Sequence, residues 1–498
     1  MTAMRALAAV VSALLAAQAG APAYDIVIRG ARVLDPASAL DAVRSIGITG
    51  KKIAVVSADA IRGRTEIDAT GLVAAPGFID LHSHGQTPEN YRYKAMDGVT
   101  AALELEVGVS PVSEWYKARE GKSLIHFGAS AGHIPARMAV MKDSGGLLPR
   151  DAAMNRAATP EEQSAIEAIV RRDLDEGGVG MGMGITYTPT ATRDEILSLF
   201  RLAAGFKRPV FVHMRGGDVV ASLQEVIADS AVSGAPLHVV HINSVGLAET
   251  PELLRMISDA RAHGRDVTTE AYPYDAGMTE IQSATIQDVY KTAPDERLAE
   301  IEWPPTGERL NRESFERYTR TGGPVVIHTN TEEMVAAAIG SPLTIIASDA
   351  YWQDGRGHPR TTGTFARVLG RYVREARADV GAQHAAPLRH DTLSLMDALR
   401  KMTLMPAQRL GARVPAMRQK GRLRVGADAD ITIFDPATVI DRSTYREPSL
   451  APVGIQYVIV NGVPVVVNGR AVEGVTPGKA VRSRPLPKRK EERGTVPR

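Results

Sequence analysis

Five residues that end apolar runs carry the chemical interest of this chain: His82 and His84 in "GFIDLHSHG", His213 in "RPVFVHMR", His241 in "PLHVVHIN" and Asp349 in "LTIIASDA". Histidines at i and i+2 on a strand point to the same side. Imidazole nitrogens and a carboxylate oxygen are the donors of a catalytic zinc that keeps an open position for water. A cation there brings the pKa of water towards ~7. Asp349 can take that proton and return it to a leaving group. The chain has no cysteine, so thiolate ligands and disulfides are excluded. A lone histidine is more often packed than ligating, and Asp349 would also suit a helix N-cap. Four histidines at three strand ends and an aspartate at a fourth point jointly to a metal site.

Those strands recur with helices between them. Thr159-Pro160-Glu161-Glu162 supplies an N-cap, a proline at the first helical position and a capping-box acid. Its helix presents Ile166, Ile169 and Val170 on one face and stops at Gly177-Gly178. Thr192 and Glu195 are expected to open the next helix in the same way. "RDVTTEAYPY", "PVVIHTN" and "LTIIASDA" read as further strands. This rhythm argues for parallel βα units. Polar residues at several strand ends favour a TIM-like (β/α)8 barrel of ~250 residues over an open doubly wound sheet, which binds at one switch point.

β-rich segments lie at both ends of the chain. "YDIVIRGARVLD" is expected to form a hairpin at Arg29-Gly30, and Asn461-Gly462 marks a tight turn. The two sets are expected to pair into a small β-sandwich. The expected boundaries are 24–75 and 419–475 for the sandwich and 76–418 for the barrel. Ser283 to Gly323 is less regular and reads as an insertion or lid. Residues 1–23 read as a signal peptide: Arg5, an apolar run from Ala6 to Ala17, and Ala21-Pro22-Ala23 as the cleavage site. Export to the periplasm or medium is expected, with no stable membrane span after its removal. Residues 476–498 read as a flexible charged tail. Net charge is +2, so nucleic-acid binding has no electrostatic support. A small-molecule substrate is expected, and a homo-oligomer is left open.

Several ordered motifs resemble the amidohydrolase superfamily, and within it the N-acyl-D-amino-acid deacylase (D-aminoacylase) family. They are "PGFIDLHSHG", "GHIPARMAVM", "GVGMGMGITYTP", "VHMR", "VVHIN", "EAYPYDAG", "SDAYWQDGRGHPRTTGTFARVLGRYVRE" and "GRLRVGADADITIFDP". The likeness spans about Tyr24 to Arg470. It implies a barrel with a small β-sandwich, one or two zinc ions, and hydrolysis of the amide of an N-acyl-D-amino acid by metal-activated water. Carried over, His82, His84, His213 and His241 are ligands and Asp349 is general base and acid as well as ligand. Tyr187 polarises the scissile carbonyl or holds substrate. His133 and Tyr274 stand in substrate-binding motifs.

Two positions depart from that family. Where it places a ligand cysteine, this chain has Val107 in "GVTAALELEVGVS". Glu106 is the expected replacement, since a carboxylate can bridge two ions, and Glu104 is the runner-up. After His241 the family often has a lysine two positions on; here Asn243 stands there and cannot pair a substrate carboxylate by charge. Arg215 and Arg360 are the expected substitutes. A D-peptide or isoaspartyl-type dipeptidase, a cyclic amide hydrolase, and a silent binding protein of the same fold stay open.

Overall fold

A computed structural model describes residues 23–353, 355–376 and 393–484. The expected leader, except Ala23, and the chain beyond Arg484 lie outside the described residues. Eight parallel strands stand side by side in chain order. They are β1 (Phe78–Asp80), β2 (Val99–Val109), β3 (His126–Gly132), β4 (Met181–Gly184), β5 (Val210–His213), β6 (Leu237–Val239), β7 (Val267–Ala271) and β8 (Thr344–Ile346). The ends meet just past the strands. The His84 amide donates to the Ala350 carbonyl at 2.7 Å, and the Ala350 amide to that of His82 at 3.3 Å. The sheet is thus a nearly closed barrel, as the strand ends predict.

Alternation sorts the side chains. In β5, Val210 and Val212 pack outward with the helices, while Phe211 joins Ile79, Leu103 and Ile345 in the interior core. His213 follows Phe211 on that inner side and so reaches the mouth. No described helix is long and apolar enough to cross a membrane.

The terminal strands form a second layer. Tyr24–Asp35, Leu40–Thr49, Lys52–Ser57, Gly63–Asp68 and Val73–Pro76 join Ile431–Phe434, Ile455–Val460, Val463–Val467 and Arg470–Ala471 in one nine-stranded sheet. Val73–Pro76 pairs antiparallel with Ile431–Phe434, which sews the two ends of the chain together. The sheet has its own core of Ile28, Val33, Ile46, Ile48 and Ile433. Asn461 and Gly462 take φ of 53° and 79° between paired strands, the expected tight turn. The hairpin expected at Arg29-Gly30 is absent. Tyr24–Asp35 is one strand with a register shift between Ile28 and Ala31, and Gly30 at φ 70° makes a bulge there.

Other expectations are corrected in the same way. "PVVIHTN" is not a barrel strand: Pro324–Ile327 lies in a separate four-stranded sheet with Gly277–Glu280, Ile301–Trp303 and Glu308–Arg309. A short apolar run shows its type but not its partner. The insertion therefore runs wider than Ser283–Gly323, and it closes on its own core of Ile286, Leu298, Ile301, Phe315 and Val325. Thr159 and Glu162 form the expected capping box. Thr192 caps the next helix, but the Glu195 carboxylate turns instead to His133 and Arg137.

The tail is ordered further than its composition suggests. Val481 is buried in the barrel's interior core. Its amide donates to the Phe127 carbonyl at 2.7 Å, and its carbonyl accepts from the Tyr116 hydroxyl at 2.6 Å. Hydrogen bonds and one apolar anchor outweigh the charged composition here. Val481→Ala is expected to lower stability by about 1–3 kcal/mol, measured by chemical denaturation; an unchanged midpoint would show the anchor to be idle.

Candidate metal centre

The barrel mouth gathers four histidines and four carboxylates. His82 and His84 follow β1, Glu104 and Glu106 stand in β2, and His213 ends β5. His241 follows β6, Glu270 lies in β7, and Asp349 follows β8. Glu106 sits in the middle with its oxygens divided. Oε2 lies 3.0 Å from His82 Nε2 and 3.1 Å from His84 Nε2. Oε1 lies 2.7 Å from His213 Nδ1 and 3.5 Å from His241 Nε2. Asp349 Oδ1 is 3.3 Å from His82 Nε2 and 3.4 Å from His84 Nε2. Two ligand groups result, His82–His84–Glu106–Asp349 and Glu106–His213–His241, each with donor atoms within 4.8 Å of one another.

The local backbone makes this convergence possible. A Cβ on Gly182 of β4 would stand 2.4 Å from the Glu106 carbonyl oxygen. Only glycine lets β4 pass that close to Glu106. His241 and Asp349 adopt φ of 29° and 51°. Side chains other than glycine rarely take those values, and the turns aim both side chains into the mouth.

The donor set fits a divalent cation. Glu270 Oε1 stands 2.5 Å from His82 Nδ1, and Glu104 Oε2 stands 2.8 Å from His84 Nδ1. Each carboxylate takes an Nδ1 proton and leaves the Nε2 lone pair facing inward. Those two Nε2 atoms are 3.0 Å apart. Two lone pairs at that distance, with two carboxylate oxygens beside them, need a positive charge between them. Burial works to lower the His82 imidazole, yet Asp349, Glu270 and Glu106 outweigh it and push it up to about 10. The field of the site therefore calls for cations.

Asp349 is held from behind. Its Oδ2 pairs with Arg360 Nη2 at 2.8 Å, leaving Oδ1 aimed at the histidines. Burial would raise this carboxyl, but Arg360 and His82 keep it well below the usual range. The Tyr187 phenol is pushed far up by burial and then by Glu106 and Asp349, so it stays protonated and can donate. Arg360 Nε and Nη1 and the Tyr272 hydroxyl have no hydrogen-bond partner among the described residues. The guanidinium lies 4.6 Å from the Tyr272 ring centre.

Two clefts open on this cluster. One, a crevice of about 20 Å³, is lined mainly by apolar side chains, together with His84, Glu106 and Asp349. The other, about 260 Å³, includes His213, Arg215, His241, Tyr272, Arg297 and Asp349. Tyr187 lines both.

Other expected residues lie elsewhere or are committed. Arg215 lines the wide cleft, but its guanidinium grips Glu225 at 2.9 Å and 3.1 Å and the Pro189 carbonyl at 2.8 Å. Asn243 is fully buried and donates to the Tyr272 carbonyl at 3.2 Å. The Tyr274 hydroxyl donates to Asp441 at 3.2 Å, away from the clefts. His133 is buried against Glu195 at 2.8 Å, lines neither cleft, and ties two helices together. Glu104 orients His84, so of the two candidates only Glu106 sits between the histidine pairs.

Glu270 escaped the sequence reading. Its signal is a carboxylate inside the strand "VTTEA". It braces His82 with Oε1 and His238 with Oε2, the latter at 2.9 Å. Glu270→Gln is expected to weaken zinc affinity about 10–100-fold, read by competition with a chelator; unchanged affinity would deny it this orienting role.

The family model described as "Amidohydrolase family" matches residues 65–385 and 335–466. The N-acyl-D-glutamate deacylase of Alcaligenes xylosoxydans xylosoxydans is 30% identical over 89% of this chain and 93% of its own. The D-aminoacylase of the same organism is 28% identical over 90% and 96%. The crystal structure of N-acyl-D-glutamate deacylase from Bordetella bronchiseptica, complexed with zinc and a phosphonate mimic of the tetrahedral intermediate, matches with a TM-score of 0.75 at 28% identity, covering 92% of this chain and 100% of that one. A barrel whose mouth gathers His82, His84, His213, His241 and Asp349 and a family match over most of the length lead to one conclusion: this chain belongs to the amidohydrolase family.

Proposed function

We propose that the protein is a zinc-dependent hydrolase that cleaves the amide of N-acyl-D-amino acids to a carboxylate and a D-amino acid. The observation that carries it is the divided Glu106 carboxylate, with a histidine pair on each oxygen and Asp349 beside one pair. Likeness to the two deacylases supports the substrate class and the D configuration. His82, His84, Glu106 and Asp349 would hold one ion, and Glu106, His213 and His241 a second. Bound zinc would polarise the scissile carbonyl and make water acidic enough to attack at neutral pH.

The chain's own groups do the rest. Arg360 fixes Asp349 through Oδ2, so Oδ1 is the atom that accepts the proton of the attacking water. The same oxygen then returns it to the departing amine nitrogen. The Tyr187 hydroxyl donates to the carbonyl oxygen as negative charge grows there. Arg297 lines the wide cleft, is half-exposed, and meets Glu300 at 3.8 Å and the Tyr290 ring at 5.5 Å. It is better placed than the committed Arg215 to meet a substrate carboxylate.

Zinc-loaded protein is expected to hydrolyse N-acetyl-D-amino acids at least about 100-fold faster than their L enantiomers. No turnover across D, L, dipeptide and cyclic amide panels would remove the hydrolase reading, and cleavage of the dipeptides or cyclic amides alone would favour the other members of the family. Asp349→Asn should cut kcat about 10²–10⁴-fold while largely sparing metal content; undiminished turnover would exclude Asp349 as the base. Glu106→Ala should lose most bound zinc by elemental analysis, where Glu104→Ala keeps more. Equal and full loading of both would refute the bridge.

A further inference from the structure

The two ligand sets share Glu106 but are not equivalent. His82, His84, Glu106 and Asp349 supply four donor atoms. Five separations among them lie between 3.0 and 3.4 Å. A tetrahedral zinc with bonds of ~2.0–2.1 Å holds its donors about 3.3 Å apart, so this set stands close to the spacing the ion needs. Glu106, His213 and His241 supply three donors. Three protein ligands leave the fourth corner of a tetrahedron open.

What stands behind the imidazoles differs more. His82 and His84 each turn Nδ1 to a second, buried carboxylate, Glu270 at 2.5 Å and Glu104 at 2.8 Å. Glu104 Oε1 has no hydrogen-bond partner among the described residues, so its charge is spent mainly on His84. Such a carboxylate fixes the ring and makes the far nitrogen a stronger donor. Asp349 adds a further negative charge to this set, which Arg360 offsets. Glu104 and Glu270 are left over. On the other side, the recorded ion pairs of His213 and His241 are with Glu106. The far nitrogen of His241 meets a neutral group, the Ser244 hydroxyl, at 3.2 Å.

Access follows the same division. His213 and His241 line the wide cleft. His84 and Glu106 line only the crevice, which has room for about one water molecule. His82 lines neither and is 1% exposed.

We propose that the two sets hold zinc unequally: the His82 set, with Glu104 and Glu270 as its positioning residues, fills first and retains its ion, and the His213 set binds a second ion that exchanges through the wide cleft. The inference rests on the metal-dependent reading above and adds the order of filling. Each bracing carboxylate is worth about 10–100-fold in affinity, so two of them separate the sites by about 10²–10⁴-fold.

The test titrates the full chain, stripped with a chelator, and reads bound zinc by elemental analysis after dialysis against a graded series of zinc–chelator buffers. Two steps of one equivalent each are expected. His213→Ala should keep the tighter equivalent and lose the weaker one. Glu104→Gln, which preserves size, should weaken the tighter step at least about tenfold and leave the weaker step where it was; it decides the matter if His213→Ala does not fold. Two steps of equal affinity, a single equivalent, loss of the tighter ion in folded His213→Ala, or a tighter step unmoved by Glu104→Gln would overturn the inference. Turnover that persists alongside any of these results would leave the hydrolase reading standing. Absence of bound zinc at any concentration would overturn both.

Discussion

Everything at the mouth of this barrel answers to one constraint: four buried carboxylates crowd the same small volume. Glu104, Glu106, Glu270 and Asp349 are each at most 9% exposed. Buried carboxylates are stable only when paired and hydrogen-bonded, and removing one partner of such a pair costs about 3–5 kcal/mol. Here the partners are imidazoles and a single guanidinium. Glu104 and Glu270 each take a histidine Nδ1, Asp349 takes Arg360, and Glu106 is shared among four imidazoles. Inward-facing Nε2 lone pairs remain, and the cluster is electrically complete only with cations in it. The metal requirement is thus a property of the fold and not an addition to it.

The same logic explains residues further out. Asp80 and Lys94 are fully buried and paired at 3.0 Å, and Ser348 Oγ donates to Asp80 at 2.5 Å. The Asp80 carboxylate also accepts from the amides of His82 and Ser348. This knot joins the ends of β1 and β8, which carry His82 and Asp349 on either side of the seam where the barrel closes. The positive φ at Asp349, next to Ser348, is held by that packing. Strain is tolerated at the mouth because the interior below is filled by Phe211, Leu103, Ile345 and Val481.

Much of this was legible in the residues alone. His82, His84, His213, His241 and Asp349 were each marked by ending an apolar run, because period-two alternation and strand ends are local properties. The Thr159 capping box and the Asn461-Gly462 turn were legible for the same reason. Glu106 could be named only through the family resemblance, which places a ligand cysteine where Val107 stands next to it. Glu270 was not, since a single glutamate in "VTTEA" gives no hint of which histidine stands across the barrel from it. Arg29-Gly30 misled because a glycine at positive φ serves a bulge as well as a turn. The resemblance put His133 in a substrate-binding motif and the helix pattern put Glu195 in a cap, yet in space the two pair with each other between two helices.

By itself the sequence determined the fold class, the ligand types and the absence of any thiolate chemistry, all of which follow from composition and short-range periodicity. Only the tertiary structure decided which groups share a volume. It placed "PVVIHTN" in the insertion instead of the barrel, drew Val481 from a charged tail into the core, and divided Glu106 between two histidine pairs. It also set an apolar crevice and a wider cleft on either side of Asp349. These are matters of which distant segments approach within a few ångströms, and side-chain periodicity carries no information about that distance.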